Sequence, residues 1–445
     1  MLNLIYPDRT CEEKVEFKYA HTWEEKNFIV KAFVLDQIAS PDNFNVSVNA
    51  EDEMFLYLQE AFHGNRNRAL VEYFMSGKEV LNRVTSIINW KFQSFENVNS
   101  FLDFACGYGR MTRYLVQEMP PEKIWVSDIY AEAVEFQKAQ FGVNGIVSVT
   151  DPKDYPVERK YDCIFVFSLF SHLPEKTFVP WLEKLYSMLS PNGILMFTVH
   201  DVILMPPEQV MPESGICFVP HSESRSLSTE EYGSTWVTES FVADAIAKAS
   251  NGKAFYHRIK RGLLIQDLYL VVNDSQLDFS TLNLGVRPRG FVDFCSYTRH
   301  DELTLKGWAA DTSWTNEVKE IQILLNGQLV QKCKPCYPRP DVVEFLKDER
   351  ALISGWICSF YLDPAADISK ELLMVKMICG NNVERVMMIS LIEAALQDLM
   401  VLPPETPPET LPETSESPSI ISKLKSLLRP IKHLILGNIS TNNQV

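Results

Sequence analysis

The sequence predicts an α/β fold with a doubly wound, mostly parallel sheet, followed by a smaller antiparallel β-sandwich and a tethered amphipathic helix. Between residues 98 and 275, short apolar strands alternate with helix-like segments, and a turn of small residues follows the first strand. From about residue 285 the apolar residues instead alternate along short segments, which are separated by turn signals such as Asn326-Gly327. At 445 residues the chain has the length of two or more domains.

The first strand and its turn are the most specific local feature. An apolar run at residues 100–102 leads to Asp103, then to the turn at residues 105–109 (Ala-Cys-Gly-Tyr-Gly), and a helix-like segment covers residues 111–118. Glycine in such a turn lets the backbone approach a bound nucleotide or adenosine group, and the helix N-terminus supplies N–H donors. The turn therefore predicts a site for a nucleotide-like cofactor.

Further strand and helix pairs follow this turn at the spacing of a parallel sheet. The second strand ends in Asp128, about 20 residues beyond the glycines, where a carboxylate can accept hydrogen bonds from ribose hydroxyls. Helix-like segments between the strands predict a sheet that is covered on both faces. The later strand-like segments cover residues 146–149, 161–167, 194–199 and 263–272.

Together these elements resemble the class I S-adenosylmethionine-dependent methyltransferases, over roughly residues 66–273. The resemblance implies S-adenosylmethionine as the cofactor, with its methionine part over the glycine turn, its ribose on Asp128 and its adenine beside Asp151. The segment after the fourth strand, which begins at Ser168, also matches the family. The cofactor-binding residues implied by the resemblance are Asp103, Ala105, Gly107, Gly109, Asp128, Ile129, Asp151 and Ser168.

The chain departs from the family pattern at two positions, and two other interpretations stay open. Ala105 replaces the first glycine of the loop, and Asn192 replaces the first glycine of the turn before the fifth strand. Alanine is the smallest change, and asparagine tolerates left-handed backbone. A nicotinamide-binding Rossmann domain would usually show a third glycine where Thr112 stands. An α/β domain without a cofactor is the other alternative.

Two histidines are the candidate catalytic residues. His172 follows the fourth strand and His200 follows the fifth, and substrates of open α/β sheets lie at the carboxyl ends of the strands. Because imidazole titrates near neutral pH, either residue can take a proton from an acceptor hydroxyl.

The N-terminal extension, residues 1–97, contains two stretches with helical spacing of apolar residues. In many class I methyltransferases similar leading helices cover the mouth of the cofactor site. In such a lid, four polar or flexible residues would contact the cofactor carboxylate. Alternatively, they are simply the solvent-exposed face of a helix and a glycine in a loop. These positions are Arg66, Arg68, Tyr73 and Gly77.

Composition and charge argue against several classes of protein. The net charge of −16 argues against general nucleic-acid binding, which needs clustered Lys and Arg. The sequence contains no run of 18 apolar residues, so no transmembrane helix is predicted. The first 14 residues lack the pattern of a signal peptide. The nine cysteines, mostly in apolar strand-like contexts, suit reduced thiols in the cytoplasm.

One pair of cysteines, Cys333 and Cys336, has the C-x-x-C spacing. A zinc site would need two more ligands at similar spacing, and Cys295 and Cys358 are too isolated in the sequence to supply them. We therefore predict no metal site and interpret the pair as ordinary loop thiols.

The C-terminal part divides into a module, a linker and a terminal helix. Residues 285–395 resemble small β modules that are appended to bacterial glycosyltransferases and methyltransferases. Residues 396–419, rich in Pro, Glu and Thr, predict a disordered linker, and residues 420–436 predict a basic amphipathic helix. Such a helix suits a membrane surface or a protein partner, or it folds back on its own domain. Three tryptophans of the module can stack on sugars, although core positions are favoured: Trp308, Trp314 and Trp356.

The sequence therefore predicts a cytoplasmic S-adenosylmethionine-dependent methyltransferase without a nucleic-acid partner. If residues 420–436 bind lipid, the protein would be peripherally attached to a membrane surface. The resemblance of the appended module favours O-methylation of a sugar, a glycan or a small-molecule hydroxyl. One alternative is a non-catalytic scaffold or glycan-binding protein on the same fold. Another is a methyltransferase that acts on a protein or on a small metabolite.

Overall fold

The computed structural model describes residues 44–62, 66–156, 159–221, 227–282, 284, 288–298, 301–312, 317–380 and 384–400. Trp314, the stretch before residue 44 and the predicted helix at 420–436 lie outside these residues. No helix within the described ranges is long and apolar enough to cross a membrane.

The central sheet has the strand order β3-β2-β1-β4-β5, with these five strands parallel, and it continues through β9 and β8, which are antiparallel to their neighbours. The order reverses between β1 and β4, and ligands of such sheets bind at the carboxyl ends of the strands at that point. A small hairpin of β6 and β7 pairs with the end of β5. The strands are β1 (Phe101–Phe104), β2 (Ile124–Asp128), β3 (Asn144–Val147), β4 (Tyr161–Val166), β5 (Leu189–Asp201), β6 (Ile216–Val219), β7 (Ser234–Val237), β8 (Phe255–Leu263) and β9 (Gln266–Val272).

Helices cover both faces of this sheet. All four residues of β1 are buried: Phe101 packs into one apolar cluster with α2, whereas Leu102 and Phe104 pack into a second cluster with α5. Such burial on both sides is what the near-continuous apolar strands predicted. The helices of this region are α1 (Glu53–Ala61), α2 (Arg66–Phe92), α3 (Thr112–Glu118), α4 (Ala131–Phe141), α5 (Glu175–Ser187) and α6 (Glu239–Ala249).

Two stretches differ from the sequence prediction. The predicted closing strand at 263–272 is the end of β8 and all of β9, because the chain turns at Leu264, which has φ 53°. The expected turn before the fifth strand is part of β5. Tyr161 of β4 pairs with Leu189, whereas Cys163, two residues later, pairs with Ile194, so β5 bulges between these two pairs. The bulge accommodates Pro191, which has no N–H to donate to a neighbouring strand.

Residues 288–400 form the predicted β-sandwich with two flanking helices. One antiparallel sheet has the order β10-β11-β14 and the other has the order β13-β12-β15-β16. Asn326 and Gly327, with φ of 51° and 83°, make the predicted turn between β12 and β13. The elements are β10 (Pro288–Tyr297), β11 (Glu302–Asp311), β12 (Val318–Leu325), β13 (Gln328–Cys333), α7 (Pro340–Leu346), β14 (Gly355–Tyr361), β15 (Leu372–Cys379), β16 (Glu384–Leu391) and α8 (Ile392–Met400).

Side chains from both sheets share one core, and Trp356 is fully buried within it. Trp308 is also buried, beside Phe291, so both tryptophans are core residues, as favoured from the sequence. Helix α8 runs to Met400, so the first residues of the predicted linker are helical.

The outer face of the four-stranded sheet packs against the methyltransferase-like region. Alternate residues of β15 point to opposite sides, so that Leu373 belongs to the core of the sandwich and Met374 to the cluster that includes α2. This shared apolar cluster joins the two regions. The residues that the module contributes to it with full burial are Leu324, Leu372, Met374 and Ile389.

The cysteines of the module are closer together than the sequence suggested. Strand β13 runs beside β14, with Gln331 Nε2 donating to the carbonyl oxygen of Ser359 (3.3 Å). The thiols of Cys333 and Cys358 are close enough to shift each other's pKa, that of Cys333 upward and that of Cys358 downward. Within the described residues no group of three or more His, Cys, Asp or Glu side chains could hold a metal ion.

Candidate active site

The glycine loop joins β1 to α3 through three residues with left-handed backbone. Ala105, Gly107 and Gly109 have φ of 57°, 54° and 82°. A Cβ atom on Gly109 would lie 2.5 Å from the ring of Phe141, whereas a Cβ atom on Gly107 would meet nothing within 4 Å. Gly109 is therefore needed for packing, and Gly107 borders open space of the kind that a ligand needs. Ala105 accepts a conformation that glycine adopts more easily.

Asp128 closes the loop from the end of β2. Its Oδ2 accepts from the backbone N–H of Gly107 (2.8 Å) and its Oδ1 accepts from Tyr130 N–H (3.1 Å). Burial raises the pKa of Asp128, and hydrogen bonds from backbone N–H groups, including that of Ile129, act in the opposite direction. The carboxylate thus lies between the glycine loop and the start of α4, at the carboxyl edge of the sheet.

Asp103 is a second buried carboxyl group, at the end of β1. Its Oδ2 accepts from Thr112 Oγ1 (2.9 Å). Burial raises the pKa of Asp103 to about 7, the Thr112 hydrogen bond lowers it, and the charge of Asp128 raises it further. A ligand that brings a cation to this position would favour the ionised form of Asp103.

Helix α2 lies directly on the glycine loop. A Cβ atom on Gly77 would lie 2.2 Å from the carbonyl oxygen of Arg110, so glycine permits this close approach. Arg110 donates from Nη1 to Ser76 Oγ (3.2 Å), and its guanidinium lies 5.4 Å from the centre of the Phe167 ring. Burial lowers the pKa of Arg110, and nearby groups that include Glu72 partly compensate. Arg110 is thus a half-buried cation beside the loop.

A buried network connects the same loop to the N-terminal segment. Arg113 is fully buried and donates to the carbonyl oxygens of Gly109 (3.1 Å) and Ser47 (3.0 Å). Tyr73 Oη lies 3.4 Å from Arg113 Nη2 and donates to Asp52 Oδ2 (2.5 Å). Tyr73 therefore binds Asp52 and Arg113 within the network. The side chains of Arg66 and Arg68 lie outside the described residues.

Asp151 and Ser168 are placed at the same edge of the sheet. After β3 the chain returns to β2 through a hydrogen bond from Ser148 N–H to the carbonyl oxygen of Asp128 (2.7 Å). Asp151 itself is exposed, and its carboxylate accepts from Lys153 N–H (3.0 Å). Ser168 has φ 64°, and its N–H donates to Thr198 Oγ1 (2.9 Å).

The two candidate histidines are neighbours, with ring centres 6.2 Å apart. His172 Nδ1 lies 2.7 Å from the carbonyl oxygen of Gly233, and its ring stacks on Tyr232 at 4.6 Å. Because a carbonyl oxygen only accepts, Nδ1 carries a proton, and in the neutral ring the lone pair is on Nε2. His200 Nε2 lies 3.1 Å from Gln266 Nε2.

Gln266, at the start of β9, connects the segments after β4 and β5. Its Nε2 donates to Ser168 Oγ (2.8 Å) and faces His200. Its Oε1 is buried and has no hydrogen-bond partner among the described residues. A buried amide oxygen without a partner costs about 1–3 kcal/mol, so this atom points to a ligand donor.

The end of β5 that carries His200 is held by an ionic cluster. Arg258 is largely buried, donates from Nε to Asp267 Oδ2 (2.7 Å) and pairs with Asp201 and Glu239. These contacts join β5, α6, β8 and β9 beside the two histidines. Arg258 is therefore a structural residue of this edge.

Sequence reasoning missed the roles of Arg110, Arg113 and Gln266. The signal for the arginines was their position in the first turn after the glycines, but their side-chain partners Ser76 and Tyr73 lie 34 and 40 residues earlier. Such long-range pairing is not visible in a single sequence. Gln266 lies in an element that resembles the family, yet its contact to Ser168 depends on the pairing of β9 with β5.

Comparison with known proteins agrees with this geometry. Residues 101–193 match the family model of a methyltransferase domain, a span that contains the glycine loop, Asp128 and His172. No curated protein matches the chain.

Among solved structures, the chain is similar to the plantazolicin methyltransferase BamL in complex with a triazolic desmethylPZN analog and SAH. The identity is 14%, covering 56% of this chain and 99% of that one, with a TM-score of 0.35. A S-adenosylmethionine-dependent methyltransferase from Clostridium acetobutylicum is 13% identical over 50% of this chain and 99% of its own, with a TM-score of 0.34. These distant likenesses carry no argument about substrate. The strand order and the glycine loop agree with the family match, which shows a methyltransferase domain at residues 101–193.

Proposed function

We propose that this domain transfers the methyl group of S-adenosylmethionine to a hydroxyl group of a sugar, a glycan or another small molecule, with His172 as the general base. The observation that carries the proposal is the hydrogen bond from His172 Nδ1 to the carbonyl oxygen of Gly233 (2.7 Å). It leaves the basic lone pair on Nε2, at the carboxyl edge of the sheet where the acceptor of such a fold lies.

The residues around the glycine loop fit the cofactor. Open space beside Gly107 suits the methionine part, and the lone pairs of Asp128 that the backbone does not use suit the ribose hydroxyls. The carboxyl group of Asp103, with a pKa of about 7, suits a neighbouring ammonium group. The cofactor supplies an electrophilic sulfonium methyl group when bound, so the chain must mainly position the acceptor and remove its proton.

His172 performs that proton removal in this proposal. Nε2 takes the proton of the acceptor hydroxyl, and the resulting imidazolium keeps its Nδ1–H bond to Gly233. Stacking on Tyr232 holds the plane of the ring. His200 is the second candidate, but its Nε2 faces the amide of Gln266, which suits a positioning role.

The choice of a sugar or glycan acceptor is supported by the resemblance of the appended module alone. Trp308 and Trp356 are buried in that module, so neither offers a face to a sugar ring.

The test is methyl transfer from labelled S-adenosylmethionine to a panel of sugars, glycans and phenols by the full-length protein. His172→Gln should lower the rate by about 100-fold or more, the scale of general-base catalysis, while SAH affinity stays within twofold. His257→Gln is the matched control, because His257 stacks on Phe279 away from the cleft. A His172→Gln variant as active as wild type would reject the assigned base, and no SAH binding by the wild type would reject the proposed activity.

A further inference from the structure

Gln266, the first residue of β9, lies beside His200 at the carboxyl edge of the sheet. Val199 of β5 pairs with Asp267 of β9 in antiparallel register. The next residues along the two strands therefore project to the same face of the sheet. Gln266 Nε2 lies 3.1 Å from His200 Nε2, and it donates to Ser168 Oγ after β4 (2.8 Å). The amide thus connects the ends of β4 and β5 to the start of β9.

The backbone on both sides of this contact is held in place. Asp267, the residue after Gln266, accepts from Arg258 Nε (2.7 Å). Ser168 has left-handed backbone, with φ 64°, and its N–H donates to Thr198 Oγ1 (2.9 Å). Because both partners are fixed, the amide of Gln266 has a defined position at this edge.

One atom of this amide is left unpaired among the residues that the structure describes. Gln266 is 5% exposed, and its buried Oε1 has no hydrogen-bond partner within the described ranges. If the amide is turned over, Oε1 takes the contacts to Ser168 and His200, and the nitrogen loses its partners instead. In either orientation a buried polar atom is unpaired, which is costly. A hydroxyl group satisfies both orientations, because it donates as well as accepts.

The unpaired atom lies within reach of a neighbour of the hydroxyl group that would be methylated. In the proposed function the base is His172, whose ring centre is 6.2 Å from that of His200. Two hydrogen bonds of about 2.8 Å, with about 3 Å between adjacent hydroxyl oxygens, span roughly 8 Å. Two adjacent hydroxyl groups can therefore contact the base and the amide together, whereas a single hydroxyl group contacts only one of them.

We propose that Gln266 is a specificity-determining residue that binds a second hydroxyl group, adjacent to the one that is methylated, so that the acceptor is a vicinal diol such as a sugar or a catechol. A diol gives the amide the partner that it lacks. A lone alcohol leaves one amide atom unpaired, and sites of that kind reject analogues without the hydroxyl group. The inference rests on the proposed function only in taking His172 as the base beside the acceptor.

The experiment is a calorimetric titration of the full-length protein, with and without saturating SAH, with two matched pairs of probes. Catechol is compared with phenol, and cis-cyclohexane-1,2-diol with cyclohexanol, so the two pairs distinguish an aromatic from a sugar-like acceptor. In at least one pair the diol should bind at least fivefold more tightly than the alcohol. Gln266→Met, which keeps the length of the side chain without the amide, should reduce this difference to within twofold, with SAH affinity within twofold of wild type.

Gln137→Met is the matched control. Gln137 is also a buried glutamine whose Oε1 lacks a hydrogen-bond partner in the part of the chain that the structure describes. It lies against the glycine loop, however, where a Cβ atom on Gly109 would be 2.9 Å from that oxygen. This variant should therefore keep the wild-type difference between diol and alcohol within twofold, whatever its SAH affinity.

The inference is overturned if neither diol binds, if each alcohol binds as tightly as its diol, or if Gln266→Met keeps the wild-type difference. It is also overturned if Gln137→Met removes the difference equally. If Gln266→Met does not fold, the comparison of each diol with its alcohol on wild type still decides the outcome. A diol that binds more tightly than its alcohol but is never methylated would count against the proposed function alone, because binding is measured without methyl transfer.

Discussion

Replacing Gly107 by alanine separates the ligand-binding role of the glycine loop from its packing role. Gly107 has φ 54°, and a Cβ atom placed on it meets no heavy atom within 4 Å. Left-handed backbone costs an alanine roughly 1–2 kcal/mol. We expect this to be the whole cost to folding, because the new methyl group displaces nothing in the protein.

The same methyl group occupies space that the cofactor needs in our proposal. Forcing a methyl group into a well-packed contact costs about 1–3 kcal/mol. Gly107→Ala should therefore bind SAH about 5- to 150-fold more weakly than wild type. Calorimetry gives the affinity, and urea unfolding of the same samples gives the free energy of unfolding.

Two other glycines provide the comparison. Gly142 also has left-handed backbone (φ 70°), but it follows α4 at the opposite edge of the sheet, and its nearest contact would be 3.9 Å away. Gly142→Ala should lose similar stability and keep SAH affinity. Gly109→Ala should lose more stability than either, since its Cβ would lie 2.5 Å from Phe141. If Gly107→Ala binds SAH within twofold of wild type, the cofactor does not lie where the loop suggests.

Three further predictions concern stability. The pKa of Asp103 is raised to about 7 in the folded state against about 3.9 unfolded. Its contribution to the free energy of unfolding is therefore full below about pH 4 and is lost as the pH rises to 7. The melting temperature of wild type relative to that of Asp103→Asn should fall over this pH range. A difference that does not change with pH would refute the prediction. Arg113→Met, which leaves the carbonyl oxygens of Gly109 and Ser47 without this donor, should cost about 2–5 kcal/mol in urea unfolding, whereas exposed Arg350→Met should stay within about 0.5 kcal/mol. Met374→Ala, at the junction with α2, should cost about 2–5 kcal/mol, and a change near zero would contradict the packed junction.

The sequence alone determined the class of the central domain, because that class depends on local patterns. Alternating strands and helices, the glycines after β1 and the carboxylate at the end of β2 are each readable within a few residues, and right-handed crossovers then restrict the sheet to few strand orders. The period-2 pattern and the Asn326-Gly327 turn likewise predicted the antiparallel module. Helix bounds and the β8–β9 turn were less certain, since apolar runs do not mark their own ends.

Only the tertiary structure decided which side chains meet. His172 acquires its defined protonation from Gly233, 61 residues later in the chain, and Gln266 approaches His200 because β9 pairs antiparallel with β5. Local periodicity fixes which face of an element is apolar, but pairing between distant elements depends on the packing of the whole core, and the contacts of the site follow from that packing.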